Sequence, residues 1–325
     1  MSEKSSRLSI RQKTEKVCFY LQIPLTILFL YMLHCSQDIY LFMKSINLTP
    51  KFQYWPFIIV GYLYSTTIFY FCRHFMFGII KRQLNKQSYK NESETDRIHR
   101  IANDLSGLIY YSSAVAVALA LSVGTPFLPR ALGGTLDLSR FHEEYPFEHP
   151  SKGLVIFFFV CLGHEVERYV ELIAYRRNEP TFWLFYFHHT ITISIMLSSI
   201  LCNKFRVGLP ILILHLMIEP LLNLSKLARE FEKTYKYRVV IFGTFYLSWV
   251  YTRTIVLSLE IIRYLHLLNY VKDFYWQKMW ICSVVEDFGM YSLYAMNLYW
   301  QYEMTMMGYR KFLFGSESTP SDKIE

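Results

Sequence analysis

Charge is what this 325-residue chain has little of: Asp, Glu, Lys and Arg make up 18% of it, against about 25% in an ordinary soluble domain. Hydrophobic residues reach 53% and aromatic ones 18%. They gather in runs of about 20, each long enough to cross a hydrocarbon core about 30 Å thick as a helix. A soluble fold would have to hide every one of these runs, so the composition argues for an all-α polytopic membrane protein. The chain also lacks a small-residue cleavage pattern behind its first apolar run. Its basic, Ser-rich start, MSEKSSRLSIRQKTEK, therefore predicts a retained first span and not a removed signal peptide. No C-x-x-C spacing joins the six cysteines, Cys18, Cys35, Cys72, Cys161, Cys202 and Cys282, which stand singly inside or at the ends of apolar runs. That argues against a disulfide framework and a zinc site and predicts buried thiols. There is no internal repeat of fixed period.

The apolar runs place about eight transmembrane helices, at roughly 17–35, 55–80, 104–126, 153–175, 182–202, 207–226, 239–262 and 279–306. Lys and Arg decide their orientation. With the N-terminus cytosolic, Lys81, Arg82, Lys86, Lys90, Arg97 and Arg100 fall inside, as do Arg176 and Arg177, then Lys226, Arg229, Lys233, Lys236 and Arg238, then Arg310 and Lys311. The opposite loops are poorer in both residues, as the positive-inside rule requires, and both termini are expected in the cytosol. The net charge of +8 is accounted for by this topology, so no nucleic-acid partner is expected. Of two glycosylation sequons, Asn47-Leu48-Thr49 would be luminal and Asn91-Glu92-Ser93 cytosolic. The longest loop, about 124–150, holds Pro126, Pro129, Gly133, Gly134 and Pro146 and should be ordered by turns. The charged connector 81–100 separates residues 1–97, whose two helices read as an anchor, from a core at 98–312 that holds nearly all the buried ionisable groups; 313–325 is a polar tail.

Within that core the chemistry concentrates between Phe182 and Lys226. His188 and His189 are adjacent in one apolar segment, and His215 and Glu219 lie in the next. Ionisable groups inside a membrane are rare unless they pair or work. Neighbouring residues on a helix point about 100° apart, so only one of the two adjacent histidines faces a given cavity squarely. An imidazole in an apolar site stays neutral and is then a competent base or nucleophile. His215 and Glu219, at i and i+4, share one helix face, where the carboxylate could accept from the imidazole N–H. Pro220 should free the Leu216 carbonyl and kink the helix beside them. Two readings stay open for these groups, catalysis or bonds that tie helices together. A metal site is not expected: the other histidines form no H-x-x-H-H or H-x-x-x-H cluster, and Phe185 stands where an elongase box would need its first histidine.

The stretch HHTITISIMLSSILCNKFRVG resembles the longevity-assurance motif of ceramide synthases, in the TLC domain family: H-H-x-x-T, a serine, then N-x-x-R-x-G. Those positions are His188, His189, Thr192, Ser199, Asn203, Arg206 and Gly208. LPILILHLMIEPLLNLSKLAREF is similar to the H-D-x-x-D segment and its later lysine, matched by His215, Glu219 and Lys226. RIHRIANDLSGLIYYS, YPFEHPSKGL and MYSLYAMNLYWQYEM resemble flanking parts of the same family, so the likeness runs from about Arg97 to Arg310 and implies its six-helix TLC core. The chain departs from the pattern at Leu216, which stands where the first aspartate would be, and around Pro180, where the approach to the histidine pair is about two residues longer. Glu165, Glu167 and Glu171 on the preceding helix are candidates to supply the missing carboxylate.

The resemblance implies a sphingoid-base N-acyltransferase in the endoplasmic reticulum membrane, taking its acyl group from acyl-CoA as co-substrate with no further cofactor. It assigns catalysis to His188 and His189, support to His215 and Glu219, and substrate contacts to Asn203, Arg206, Lys226, Arg176 and Arg177. The cations are expected at the cytosolic mouth, where they would attract the CoA phosphates. In the family the last luminal loop influences acyl-chain length; here it is about 263–278. Membrane lipids, acyl-CoA and the sphingoid base are the expected partners, and assembly as a homo- or hetero-dimer is left open. A catalytically inactive TLC protein acting in lipid binding, sensing or trafficking is the alternative, and Leu216 is the feature that keeps it in play.

Overall fold

The computed structural model describes residues 2–45, 51–74, 77–78, 82, 94–128, 130–135, 149–231, 236–259 and 276–314. Both sequons, most of the acidic aromatic stretch 141–150, the 263–275 part of the last luminal loop and the tail 315–325 lie outside the described residues. Among those described, the architecture is helical with no strand. Eight long helices follow in chain order: α1 Ser2–Ser45, α2 Pro56–His74, α3 Glu94–Ser122, α4 Lys152–Tyr175, α5 Phe182–Leu201, α6 Phe205–Glu230, α7 Arg238–Trp249 and α8 Trp276–Phe314. Beyond Trp249 the coil of α7 widens into a π-helix, Val250–Val256.

Five stretches are long and apolar enough to cross a membrane: Ile10–Ser45, Arg97–Ser122, Phe182–Leu201, Gly208–Glu230 and Arg238–Leu259. Against the expectation of about eight spans, the described residues hold eight long helices, and five of them qualify as spans by length and composition. Two of the others are interrupted by ionisable groups, α4 by Glu165, Glu167, Arg168 and Glu171, α8 by Glu286, Asp287 and Glu303. In α2, Ser65, Thr66, Thr67 and three tyrosines dilute the apolar run.

The chain divides into two compact units. The first comprises Met1–Tyr62, Thr135–Gly208 and Ile261–Leu293; the second comprises Leu63–Gly134, Leu209–Glu260 and Tyr294–Glu325. In the first, α5 packs between α1 and α4. The early part of α2 meets α4 where both lack side chains: a Cβ on Gly61 would lie 2.0 Å from the Val160 carbonyl oxygen, and one on Gly163 would lie 2.0 Å from that of Ile58. Small residues allow such backbone approach, which is how helices gain contact in a membrane. Met32, Ile39 and Met43 of α1 join Leu201, Cys202, Met279, Ile281, Cys282 and Val285 in one buried cluster. The α1 helix is therefore more than a tether. Its Glu15 carboxylate accepts the Trp183 N–H at 3.0 Å, covering the N-terminus of α5, whose own Thr181 makes no side-chain cap.

In the second unit, Cys72, Ile98, Ile101, Ala102 and Leu227 form one buried cluster, and Ile218, Phe245, Trp249 and Met304 form another. The described first part of the loop after α3, up to residue 135, is ordered by turns, while most of the remainder lies outside the described residues. Gly124 (φ 77) and Gly133 (φ 83) take the left-handed conformation, and the Gly124 N–H reaches the Gly133 carbonyl at 3.0 Å. All six cysteines are free thiols, five of them buried.

Candidate functional site

In the first unit the site begins with the adjacent rings of His188 and His189, whose centroids lie 5.3 Å apart on α5. Nδ1 of His189 lies 3.1 Å from Oε2 of Glu165 on α4. A carboxylate only accepts, so the proton of the neutral ring sits on Nδ1 and the lone pair on Nε2. Of the three glutamates considered on α4, Glu165 reaches His189. Glu167 is held by Arg168 through two bonds of 2.7 and 3.1 Å. Beside the pair, Thr190 accepts from Gln22 of α1 at 3.2 Å and lies 3.3 Å from the Tyr169 hydroxyl. Thr192, the threonine of the motif, donates to the His188 carbonyl at 3.0 Å, a bond within its own helix.

The rest of the motif builds the turn between α5 and α6. Asn203 has φ 54, a left-handed conformation that asparagine tolerates better than most residues. With that reversal the Lys204 N–H bonds the Ser199 carbonyl at 2.8 Å, closing the end of α5. Gly208 then passes so near that a Cβ there would lie 2.9 Å from Ser199 Oγ and 3.3 Å from Phe158. Asn203, expected at the substrate, thus has a backbone task. The side chain of Arg206 lies outside those described. Below the turn, Lys204 Nζ is 2.6 Å from Oε2 of Glu286 and 3.2 Å from Ser283 Oγ, while Ser198 donates to Oε1 of Glu286 at 2.7 Å. Both charged side chains are almost wholly buried, 4% and 2% exposed.

In the second unit, Nδ1 of His215 donates to the Ile211 carbonyl at 2.7 Å. A carbonyl cannot donate, so this ring too carries its proton on Nδ1 when neutral and leaves Nε2 as an acceptor. That Nε2 is buried with no hydrogen-bond partner among the described residues. Glu219 does not take the His215 proton, contrary to the expectation from their i, i+4 spacing. It pairs at 3.1 Å with Arg253, whose guanidinium also donates to the His215 carbonyl at 3.0 Å and lies 5.1 Å from the centre of the Trp249 ring. The physical reason is charge: a guanidinium buried to 2% exposure needs a carboxylate more than a neutral imidazole does. Arg253 sits in the π-helical stretch, a form often found at functional positions. Sequence reasoning passed over it, although a lone arginine in an apolar span was signal enough.

The expected cations are spread. Arg176 is held by Glu179 through bonds of 2.7 and 2.6 Å, and Arg177 is exposed. Lys226 lies 3.6 Å from Asp104. Nearby on the same helix, Glu230 receives Arg97 at 2.9 Å and Arg100 at 2.8 Å. The histidine pair and Glu165 belong to the first unit; His215, Glu219 and Arg253 belong to the second. Among the described residues no three His, Cys, Asp or Glu side chains converge as metal ligands would.

A family model described as the TLC domain matches residues 100–306. ASC1-like protein 3 of Oryza sativa subsp. japonica is 26% identical over 173 residues, 53% of this chain and 58% of that protein. Ceramide synthase LOH2 of Arabidopsis thaliana is 25% identical over 167 residues, 51% of this chain and 54% of its own length. The chain thus spans little more than half the length of these two curated relatives.

Proposed function

From the premise that this chain belongs to the TLC domain family, we propose that it is a ceramide synthase-like N-acyltransferase. It joins the acyl group of acyl-CoA to the amine of a sphingoid base, in the endoplasmic reticulum membrane with both termini cytosolic. The similarity to a protein named ceramide synthase supports this reading, and the contact of His189 with Glu165 at 3.1 Å carries it.

With Nδ1–H held by a carboxylate, Nε2 of His189 is the basic nitrogen. It takes the proton of the attacking amine as the C–N bond forms, or takes the acyl group first and passes it to the amine; either way the thioester C–S bond breaks, CoA leaves with the amine's proton as its thiol, and the imidazolium formed on the way is matched by the negative charge of Glu165. Glu165 so supplies a carboxylate to His189. His188, its ring adjacent, is the second candidate for either role. Arg176 and Arg177, and separately Lys226, attract the CoA phosphates by their positive charge. Acyl-CoA is the co-substrate and no other cofactor is required.

The second reading, a non-catalytic lipid-binding, sensing or trafficking protein, is favoured by Leu216 and by the engagement of Glu219 with Arg253. An acyl-transfer assay decides between the two, with the full chain in lipid, acyl-CoA and a long-chain base. His189→Ala should lose about 100-fold or more of the rate. Absence of amide product from the wild type, or as much product from His188→Ala and His189→Ala as from the wild type, would favour the non-catalytic reading.

A further inference from the structure

Among the polar groups of the second unit that are buried with no hydrogen-bond partner among the described residues are Nε2 of His215, Nε1 of Trp249 and both polar atoms of the Asn297 amide. They are not scattered. Arg253 joins the first two, since it donates to the His215 carbonyl at 3.0 Å and lies 5.1 Å from the Trp249 ring centre. Asn297, 1% exposed, lies on the face of α8 that carries Trp300 and Gln301, three and four residues on. Trp300 packs edge-on against Trp249 at 6.1 Å, and Gln301 is hydrogen-bonded to Thr254. Asn297 is thus about one helical turn from the level of Arg253. The surround is apolar, with Ile218, Phe245 and Met304 packed together there. A fold keeps few buried donors and acceptors unbonded, and each such group calls for an explanation.

We infer that these groups form the seat for the hydroxyl-and-amine head of a long-chain amino alcohol, with His215 Nε2 accepting from it and Trp249 Nε1 and Asn297 bonding its oxygens. The identification of that ligand as a sphingoid base rests on the function proposed above. The donor and acceptor inventory selects the head group. His215 Nε2 needs an O–H or N–H, which the carbonyl of an acyl thioester lacks, whereas an amino alcohol supplies donors and acceptors on adjacent carbons.

The proposal separates a binding site from a merely imperfect core. Trp249→Phe removes the indole N–H with little change of shape, and Asn297→Leu removes the unbonded amide. If these groups only hold stray water, neither change affects ligand binding. If they hold the head group, both weaken binding, while the unliganded protein with Asn297→Leu melts at the same temperature or higher. The experiment uses the full chain in lipid nanodiscs, with sphinganine as the probe and a long-chain primary alcohol and a fatty acid as comparisons, reading Kd and the ligand-induced rise in Tm.

Sphinganine should bind tighter than either comparison, and each variant should weaken it about five- to tenfold, the loss of roughly one hydrogen bond. Variants that bind sphinganine like the wild type, or a wild type that binds it no better than the alcohol, would overturn the inference. If acyl transfer proceeds and both variants keep the wild-type KM for the base, this inference fails alone. If sphinganine binds through these residues but no amide forms, it stands and the acyltransferase reading fails.

Discussion

A histidine's chemistry is set by which nitrogen holds its proton, and here two different acceptors set it. Glu165 fixes His189 with a charge, and the Ile211 carbonyl fixes His215 with a dipole. Only the first also stabilises an imidazolium, so Glu165→Gln should keep the ring orientation yet slow acyl transfer, about tenfold or more. Loss of rate with unchanged Tm in the purified variant is the expected result; an unaltered rate would remove Glu165 from the mechanism. The turn residues answer to packing and backbone shape. Gly208→Ala forces a Cβ to 2.9 Å from Ser199 Oγ and should cost about 1–3 kcal/mol by overpacking. Adding Ser199→Ala should recover part of that in thermal melts, because it removes the atom first met. Asn203→Gly should be close to neutral and Asn203→Ala cost about 1 kcal/mol, since only the alanine resists φ 54.

At the scale of elements, the buried pair Lys204–Glu286 ties the α5–α6 turn to α8. Burial pulls the Lys204 pKa down, but Glu286 at 2.6 Å pushes it up by more, and the net direction is upward. The pair's contribution is thus fully present below the ordinary lysine value, about 10.4, and is lost only as pH rises through the higher folded-state value. Glu286→Leu strands the ammonium and should destabilise by about 3–5 kcal/mol, while Lys204→Met with Glu286→Leu should come near the wild type. Denaturation of both in matched detergent tests this. A double variant as unstable as the single one would mean that the serines and not the charges hold the joint. The α2–α4 crossing behaves differently. There contact is backbone to backbone, so Gly163→Val should disrupt folding outright and not merely weaken it.

For the whole molecule, topology is the property open to direct test. With both ends cytosolic, reagents confined to the cytosolic side should label cysteines introduced near either terminus, and a glycan at Asn91 would reverse the expected orientation. How much of this was legible in advance follows from where each signal lives. Hydropathy runs fixed the existence and order of the helices, because burying a backbone in lipid leaves the helix as the way to satisfy its polar groups along a single segment. The His188–His189 pair and the acidic candidates on α4 were visible for the same reason: charge in an apolar run is conspicuous. Their pairing was not. The i, i+4 spacing put His215 and Glu219 on one face but could not tell that Arg253, 34 residues beyond Glu219, claims the carboxylate.

By itself the sequence determined the helical class, the membrane setting and the segment that carries the histidines. These depend on local propensity and on the energy of leaving single residues in lipid, both of which act along the chain. Only the tertiary structure decided which acid serves which base. Hydrogen-bond and ion-pair partners are chosen by distance and burial in three dimensions, and the groups that met, Glu165 with His189, Arg253 with Glu219 and Lys204 with Glu286, come from different elements, 24, 34 and 82 residues apart in sequence.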